Sequence, residues 1–308
     1  LGEAMFALNV PTTRALAAVT TGEQIFREGM LPGAVLARVA TSHIRVGTFE
    51  YFAARGETDK VKQLADYTIQ RHFSELKDNN DRYLGLLSIV CERQAALLAQ
   101  WMCVGFVHGV MNTDNMAISG ETIDYGPCAF IDAYDASAVF SSIDHQGRYA
   151  YGNQAQMAQW NLARLAESLL PLIHEDTDEA VKLATGELNT YSNKYQALWL
   201  AGMRTKLGLA TEEEEDLNLV IDLHNTMQGQ NVDFTLFFRR LSGATKDDIN
   251  TVRNLFDEPE NFDQWAVRWS ERLTRDSMEP DERVISMNAV NPIYIPRNHK
   301  VEEALKAA

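Results

Sequence analysis

The stretch His108 to Pro127, HGVMNTDNMAISGETIDYGP, concentrates the side chains of this chain that could do chemistry. His108 is followed by a glycine, Asn115 stands seven residues after it, and Asp124 opens an Asp-Tyr-Gly nine residues further on. An amide oxygen and a carboxylate are hard donors of the kind Mg²⁺ accepts while it keeps several waters and binds phosphate oxygens. Asn115 and Asp124 are therefore candidate ligands, on two adjacent loops, for one or two divalent ions carrying a nucleotide. Two roles are open to Asp114, directly before Asn115. It can accept a proton from an attacking hydroxyl, or brace the loop as an ordinary turn residue. Gly109 and Gly126 are needed only as permissive loop positions.

Protein kinases carry H-x-D-x-x-x-x-N and D-F-G on consecutive loops in this order, and hold metal with the Asn and the second Asp. The spacing from His108 to Asn115 matches. The kinase base, however, lies two residues after the histidine, and that position is Val110, which cannot accept a proton. The metal-binding half of a kinase-like site is present without the base in its usual place. His108 is expected to bond backbone near the loop, not to shuttle protons.

Such a loop needs rigid flanks. DRYLGLLSIVCERQAALLAQWMCVGFV predicts a long helix, apolar enough to be central to a core, leading into it. MAIS and TID on either side of Gly120 predict a small β-hairpin that delivers Asp124 at its exit. Near the start, TRALAAVTT and GAVLARVAT read as strands separated by GEQIFREGMLPG, whose Gly and Pro mark turns. TDKVKQLADYTIQRHF reads as a helix capped by Thr58 or Asp59, with Val61, Leu64, Ala65 and Ile69 along one face. After the loop-like DHQGRYAYGNQ the texture is helical again, in QAQMAQWNLARLAESLLPLI, DLNLVIDLHNTM and VDFTLFFRRLS. The fold class is α+β and mostly α, a small mixed portion followed by a large helical one. The opening residues have the texture of a helix interior, so a truncated chain is expected.

Composition narrows the partners. The 308 residues are 45% hydrophobic and 23% charged, enough core for one large domain or two modest ones. A net charge of −15 argues against nucleic acid and anionic membranes as partners, since both are bound through clustered Lys and Arg. TEEEED, Thr211 to Asp216, is expected to be the solvated start of a helix. Cys91, Cys103 and Cys128 lack metal-ligand spacing; reduced thiols and a cytoplasmic setting are expected. Gln94 to Thr113 contains no Asp, Glu, Lys or Arg, yet Gln94, Gln100, His108 and Asn112 make it a buried helix running into a loop, not a membrane span.

PTTRALA, SHIRVGTFEYFAAR, the quoted loop, DHQGRY and DFTLFFRRLS, taken in order, resemble the selenoprotein O family over essentially the whole chain. The resemblance implies a protein kinase-like fold, with residues 1–45 a remnant of the small lobe and 46–308 the helical lobe. It implies a protein adenylyltransferase that binds ATP in an orientation reversed from that of kinases and passes AMP to Ser, Thr or Tyr hydroxyls of protein partners, with Mg²⁺ or Mn²⁺. Carried onto this sequence, Asp114 is the proton acceptor, Asn115 and Asp124 bind the metal, and Arg38 and Arg45 of ARVATSHIR join Asp124 around the nucleotide. Arginine suits that task because its planar fork makes bidentate bonds to phosphate. From the residues alone, Arg38 could equally be a solvent-facing residue of an edge strand, and Arg45 an ion-pair partner of Glu50. The family's glycine-rich loop and its lysine–glutamate pair have no counterpart before residue 45, and Glu3 is not assignable to that pair. This polypeptide by itself is therefore expected to bind ATP weakly and to transfer AMP poorly or not at all. The resemblance also implies a cysteine-bearing or selenocysteine-bearing tail in many members, which the 308 residues, ending in EEALKAA, do not include, and Phe140 stands where a partner cysteine could be sought. The alternatives are a non-catalytic pseudokinase-like binding module, transfer of UMP, and ordinary γ-phosphate transfer. Retention of Asp114, Asn115 and Asp124 together argues against the first, and Val110 against the last. His43 and His145 are expected to be structural.

Overall fold

The computed structural model of the chain describes residues 1–26, 29–246 and 248–307. A short helix α1 (Gly2–Ala7) leads into strands β1 (Arg14–Phe26) and β2 (Met30–Val39), followed by helices α2 (Val46–Ala53), α3 (Thr58–His72) and α4 (Arg82–Val104). Two short strands, β3 (Phe106–Val107) and β4 (Ala129–Phe130), bracket the loop that holds the candidate chemistry. Helices follow: α5 (Gln154–Ile173), α6 (Thr177–Lys206), α7 (Asp216–Met227), α8 (Phe234–Ala244), α9 (Asn250–Arg253), α10 (Glu260–Arg275), α11 (Pro280–Val290) and α12 (Asn298–Ala307). The chain is thus mostly helical with two small antiparallel sheets among the described residues, β1 with β2 and β3 with β4.

The β1–β2 ribbon pairs Ala15 with Arg38 near its base and Phe26 with Met30 near its tip. Pairing therefore extends into the segment expected to be a turn, because a register shift between Thr20 and Gln24 absorbs Gly22 and lets the ladder resume. Arg27 and Glu28, also within that expected turn, lie outside the described residues. Leu16, Val19, Phe26 and Val35 are 74%, 62%, 78% and 61% exposed, so neither face of the ribbon is covered by the described residues.

Two apolar clusters form the core. The first gathers Phe49 from α2, Ile69 from α3, Leu87, Val90 and Leu98 from α4, and Leu162 and Leu165 from α5. The second gathers Leu223 from α7, Phe237 and Leu241 from α8, and Phe262, Trp265 and Trp269 from α10. The α10 residues recur at three and four positions, which places them on one helix face. The two indoles stack at 5.9 Å, and each donates to a backbone carbonyl, Trp265 to Leu219 and Trp269 to Leu207. The long helix α6 joins the clusters, giving Ala184 and Tyr191 to the first and Met203 to the second. Cys91 is buried in the first cluster, where burial pushes its thiol up to about 12. The cap expected of Thr58 or Asp59 is not made: Glu57 precedes the helix without a side-chain cap bond, and both residues lie in the first turn. No helix of the described residues is long and apolar enough to cross a membrane.

The acidic run leads into α7 as expected, with Glu212, Glu214 and Glu215 exposed, but its last residue departs from the expected solvated state. Asp216 is 1% exposed and accepts from Arg204 Nε at 2.7 Å, Arg272 Nε at 2.8 Å and the Glu213 backbone N at 2.9 Å. Glu213 in turn accepts from Arg275 Nη2 at 2.8 Å. Asp276 joins the network: burial works to raise its carboxyl, but hydrogen bonds from Thr211, Met278 and Ala210 hold it at about 2. Arginines from α6 and α10 converge on the run, a partnership that spacing within the run could not reveal.

Removing one partner from a buried ion network leaves the others uncompensated. Asp216→Ala is expected to destabilise the protein by about 3–5 kcal/mol, seen as a lower urea midpoint at pH 7. A second expectation concerns pH. His224 is stacked between Tyr134 at 5.0 Å and Trp199 at 5.7 Å, with its buried Nε2 unpartnered among the described residues. Burial, and then the nearby Lys206 charge, lower its ring to about 4. An unfolded histidine titrates near 6.5, so between roughly pH 6.5 and 4 the unfolded chain binds the extra proton and stability falls as pH falls. The urea midpoint of His224→Phe should decline less over that window than that of the unsubstituted protein.

Candidate functional site

α4 ends at Gly105, and β3 pairs with β4, Phe106 opposite Phe130 and Val107 opposite Ala129. This short ladder closes the mouth of the 108–128 loop. Inside it, His108 spans the two limbs: Nε2 donates to Ile123 O at 2.8 Å while Nδ1 accepts from Val110 N at 3.4 Å. The pattern fixes the neutral ring with its proton on Nε2. Burial also lowers the affinity of this ring for a second proton. His108 is thus a bonded structural residue, as its sequence context suggested. Gly109 has φ +83°, and a β-carbon there would sit 2.7 Å from Pro127 O. The limbs cross at this point, so Gly109 does more than permit a loop.

The hairpin expected around Gly120 does not form. Gly120 N donates to Ala117 O in a turn, but the two arms pair with distant segments. Ala117 bridges Arg45, with Val46 N donating to Met116 O and Ile118 N to Ile44 O, each at 3.0 Å. Thr122 bridges Thr12, with Thr13 N donating to Thr122 O at 3.0 Å and Thr122 N to Pro11 O at 2.8 Å. Isolated short hairpins are marginal in water, and segments already anchored to helices are better partners. The Tyr125 hydroxyl shares a further hydrogen bond with Thr12 Oγ1.

Asp114 and Asn115 lie in a single 3₁₀ turn, Thr113–Asn115. Asp114 is exposed, whereas Asn115 is half-buried and donates through Nδ2 to Val110 O at 2.9 Å. With its amide nitrogen turned inward, Oδ1 is the atom able to meet a cation. Asp124 is exposed with φ +64°, a left-handed conformation that Asp tolerates better than most residues. Arg38, from β2, brings Nη1 to 3.8 Å from Asp124 Oδ1. Arg45 stands just before α2, where its backbone N donates to Thr48 Oγ1 at 3.2 Å. Its expected alternative partner is otherwise engaged, since Glu50 Oε2 accepts from Thr113 Oγ1 at 2.6 Å. The buried Nε of Arg45 has no partner among the described residues. At the chain's start Glu3 pairs with Arg14 at 2.5 Å.

Among the described residues no group of three or more His, Cys, Asp and Glu side chains could hold a metal by themselves. One carboxylate and one amide oxygen do suit a Mg²⁺-like ion that takes its remaining ligands from water and a nucleotide's phosphates. By donor type alone the pair would suit such an ion only if most of its ligands came from elsewhere.

The residues that seat this loop are polar side chains on otherwise apolar helix faces. Gln94 Nε2 donates to Ala117 O at 2.7 Å, Asn161 Nδ2 to Met111 O at 3.0 Å, and Trp101 Nε1 to Thr122 Oγ1 at 2.9 Å. Gln154, fully buried, accepts from His108 N and donates to Phe106 O, both at 2.9 Å. The sequence reading did not single out Gln154, Asn161 or Trp101 and used Gln94 only against a membrane span. An amide inside an apolar helical stripe is the signal that could have found three of them.

Comparison with known proteins adds the family. The model of the family described as Protein adenylyltransferase SelO matches residues 1–308. A relative named Protein nucleotidyltransferase YdiU from Rhizobium rhizogenes is 59% identical over 310 residues, covering 100% of this chain and 62% of the relative. Relatives of the same name from Rhodopseudomonas palustris and Bacillus cereus are 54% and 55% identical, with all of this chain covering 63% and 62% of their lengths. The chain thus spans rather more than three fifths of the curated relatives it matches. A match of this extent, over every element that frames the loop, makes the chain a member of the SelO family.

Proposed function

We propose that this chain carries the acceptor-activating and metal-binding part of a protein adenylyltransferase. Its architecture would be kinase-like, with residues 1–45 belonging to the small lobe and 46–308 forming the helical lobe. The observation that carries the reading is the approach of Arg38 Nη1 to Asp124 Oδ1 at 3.8 Å. It brings a ribbon cation and a loop carboxylate to one place, where the phosphates and the metal of a bound nucleotide would need both.

In this reading Arg38 and Arg45 hold phosphates of ATP, and Asn115 and Asp124 hold Mg²⁺ or Mn²⁺. A divalent ion bound there would neutralise charge along the phosphates. Asp114 accepts the proton of a Ser, Thr or Tyr hydroxyl on a protein partner. The acceptor oxygen forms its bond to the α-phosphorus as the bond to the oxygen bridging the β-phosphorus breaks, and pyrophosphate leaves. Catalysis of this kind rests on positioning and charge stabilisation. Val110 favours α- over γ-transfer, because the residue at the kinase base position has no proton acceptor. The names of the relatives support nucleotidyl transfer to protein. The uncovered faces of the β1–β2 ribbon support a nucleotide pocket that needs a further surface, so the chain alone is expected to bind ATP weakly.

The test uses ATP labelled at the α-phosphate, with Mg²⁺ or Mn²⁺. It compares the chain alone with a chimera in which the chain replaces the matching 62% of the Rhizobium rhizogenes relative. Label should enter protein in the chimera and be lost in Asp124→Ala, while Asp114→Asn should slow transfer by about 100-fold or more. Label from the γ-phosphate instead would make it a kinase, and faster transfer from UTP would make it a uridylyltransferase. A folded chimera that transfers neither label would leave a binding module as the better account.

A further inference from the structure

Gly47 is the second residue of α2 and is fully enclosed against the turn that carries Asp114. A β-carbon built on it would lie 2.3 Å from Asp114 Oδ1, 3.1 Å from its Cγ and 3.2 Å from its backbone N. Every other L residue has that carbon, and no real contact is so short. Something would have to yield.

The surroundings decide what yields. The backbone on both sides is tied down: Val46 N donates to Met116 O and Asn115 N to Asn112 O, each at 3.0 Å. One helical turn along α2, Glu50 Oε2 accepts from Thr113 Oγ1 at 2.6 Å and fixes the start of the same turn. The Asp114 carboxylate, in contrast, is the end of an exposed side chain. It can move away by rotation about its own bonds with no bond of the frame broken, while the backbone N at 3.2 Å need give only a few tenths of an ångström.

We propose that Gly47 is a positioning residue for Asp114. The bare first turn of α2 is the seat on which the carboxylate rests, and the Glu50–Thr113 bond sets the height of that seat. The inference rests on the reading of Asp114 as proton acceptor. It adds that the place of the acceptor is dictated by the absence of a side chain on another element, 67 positions away in sequence. Displacing a reacting group by about an ångström lowers rates by as much as 100-fold. A change confined to Asp114 leaves phosphate and metal contacts in place.

The experiment compares four forms of the chimera described above: unsubstituted, Gly47→Ala, Asp114→Asn and the double variant. Gly47→Ala should lower kcat by roughly 100-fold while the KM for ATP stays within about threefold. Its melting temperature should be unchanged or higher, since alanine favours helix over glycine. Adding Gly47→Ala to Asp114→Asn should cost no further rate, because both act through one group. A Gly47→Ala form that keeps kcat within about twofold, beside an Asp114→Asn form that loses it, would overturn the inference and leave the proton-acceptor reading intact. Losses that add in the double variant, or a kcat loss accompanied by a lower melting temperature, would mark Gly47 as structural only and also overturn it. Equal rates for the unsubstituted and Asp114→Asn forms would sink the proton-acceptor reading, and this inference with it.

Discussion

One buried imidazole holds the two limbs of the 108–128 loop in register. His108 donates through Nε2 to Ile123 O and accepts at Nδ1 from Val110 N, so the limb that leads to Asp114 and Asn115 is tied to the limb that delivers Asp124. The ring can do this only while neutral, and the apolar packing of Trp101 and Phe106 around it disfavours a second proton. Gln154 then fixes His108 from behind by its backbone. Everything else at the site is built on that frame. The segments Pro11–Thr13 and Ile44–Val46 dock onto the loop's far edge and bring the ribbon and α2 with them.

The helices were legible in the sequence because their signal is local. The spacing of apolar residues in α4, α5, α7 and α8 is a property of each segment alone, and those segments are helical in the structure. The two strands near the start were legible for the same reason, although their length was underestimated where a register shift hides inside Gly22. Arg38 and Arg45 came only from the family resemblance, whereas Asn115, Asp124 and Asp114 could be named as candidates from residue type and spacing. Their surroundings could not.

What stayed hidden depends on partners far away in the chain. The arms around Gly120 have the pattern of a hairpin, and nothing local says that Ile44 and Pro11 will compete for them. Asp216 looks solvated until Arg204 and Arg272 arrive from two other helices. Gly47 reads as one small residue in a helix, and its meaning comes from the side chain that occupies the space it leaves. In each case the missing information is a long-range contact whose gain exceeds the local preference.

The contact between Arg38 and Asp124 has one more consequence. In the chain as it stands each group tempers the charge of the other across 3.8 Å, so neither is left as a lone charge in the mouth of the site. On the proposed reading, a nucleotide and its divalent ion arriving together let both groups change partners at once, the guanidinium to phosphate and the carboxylate to metal. Either arriving alone would break one attraction while satisfying half of it. On that reading the ion pair would favour occupancy by the complete metal–nucleotide complex over occupancy by its parts.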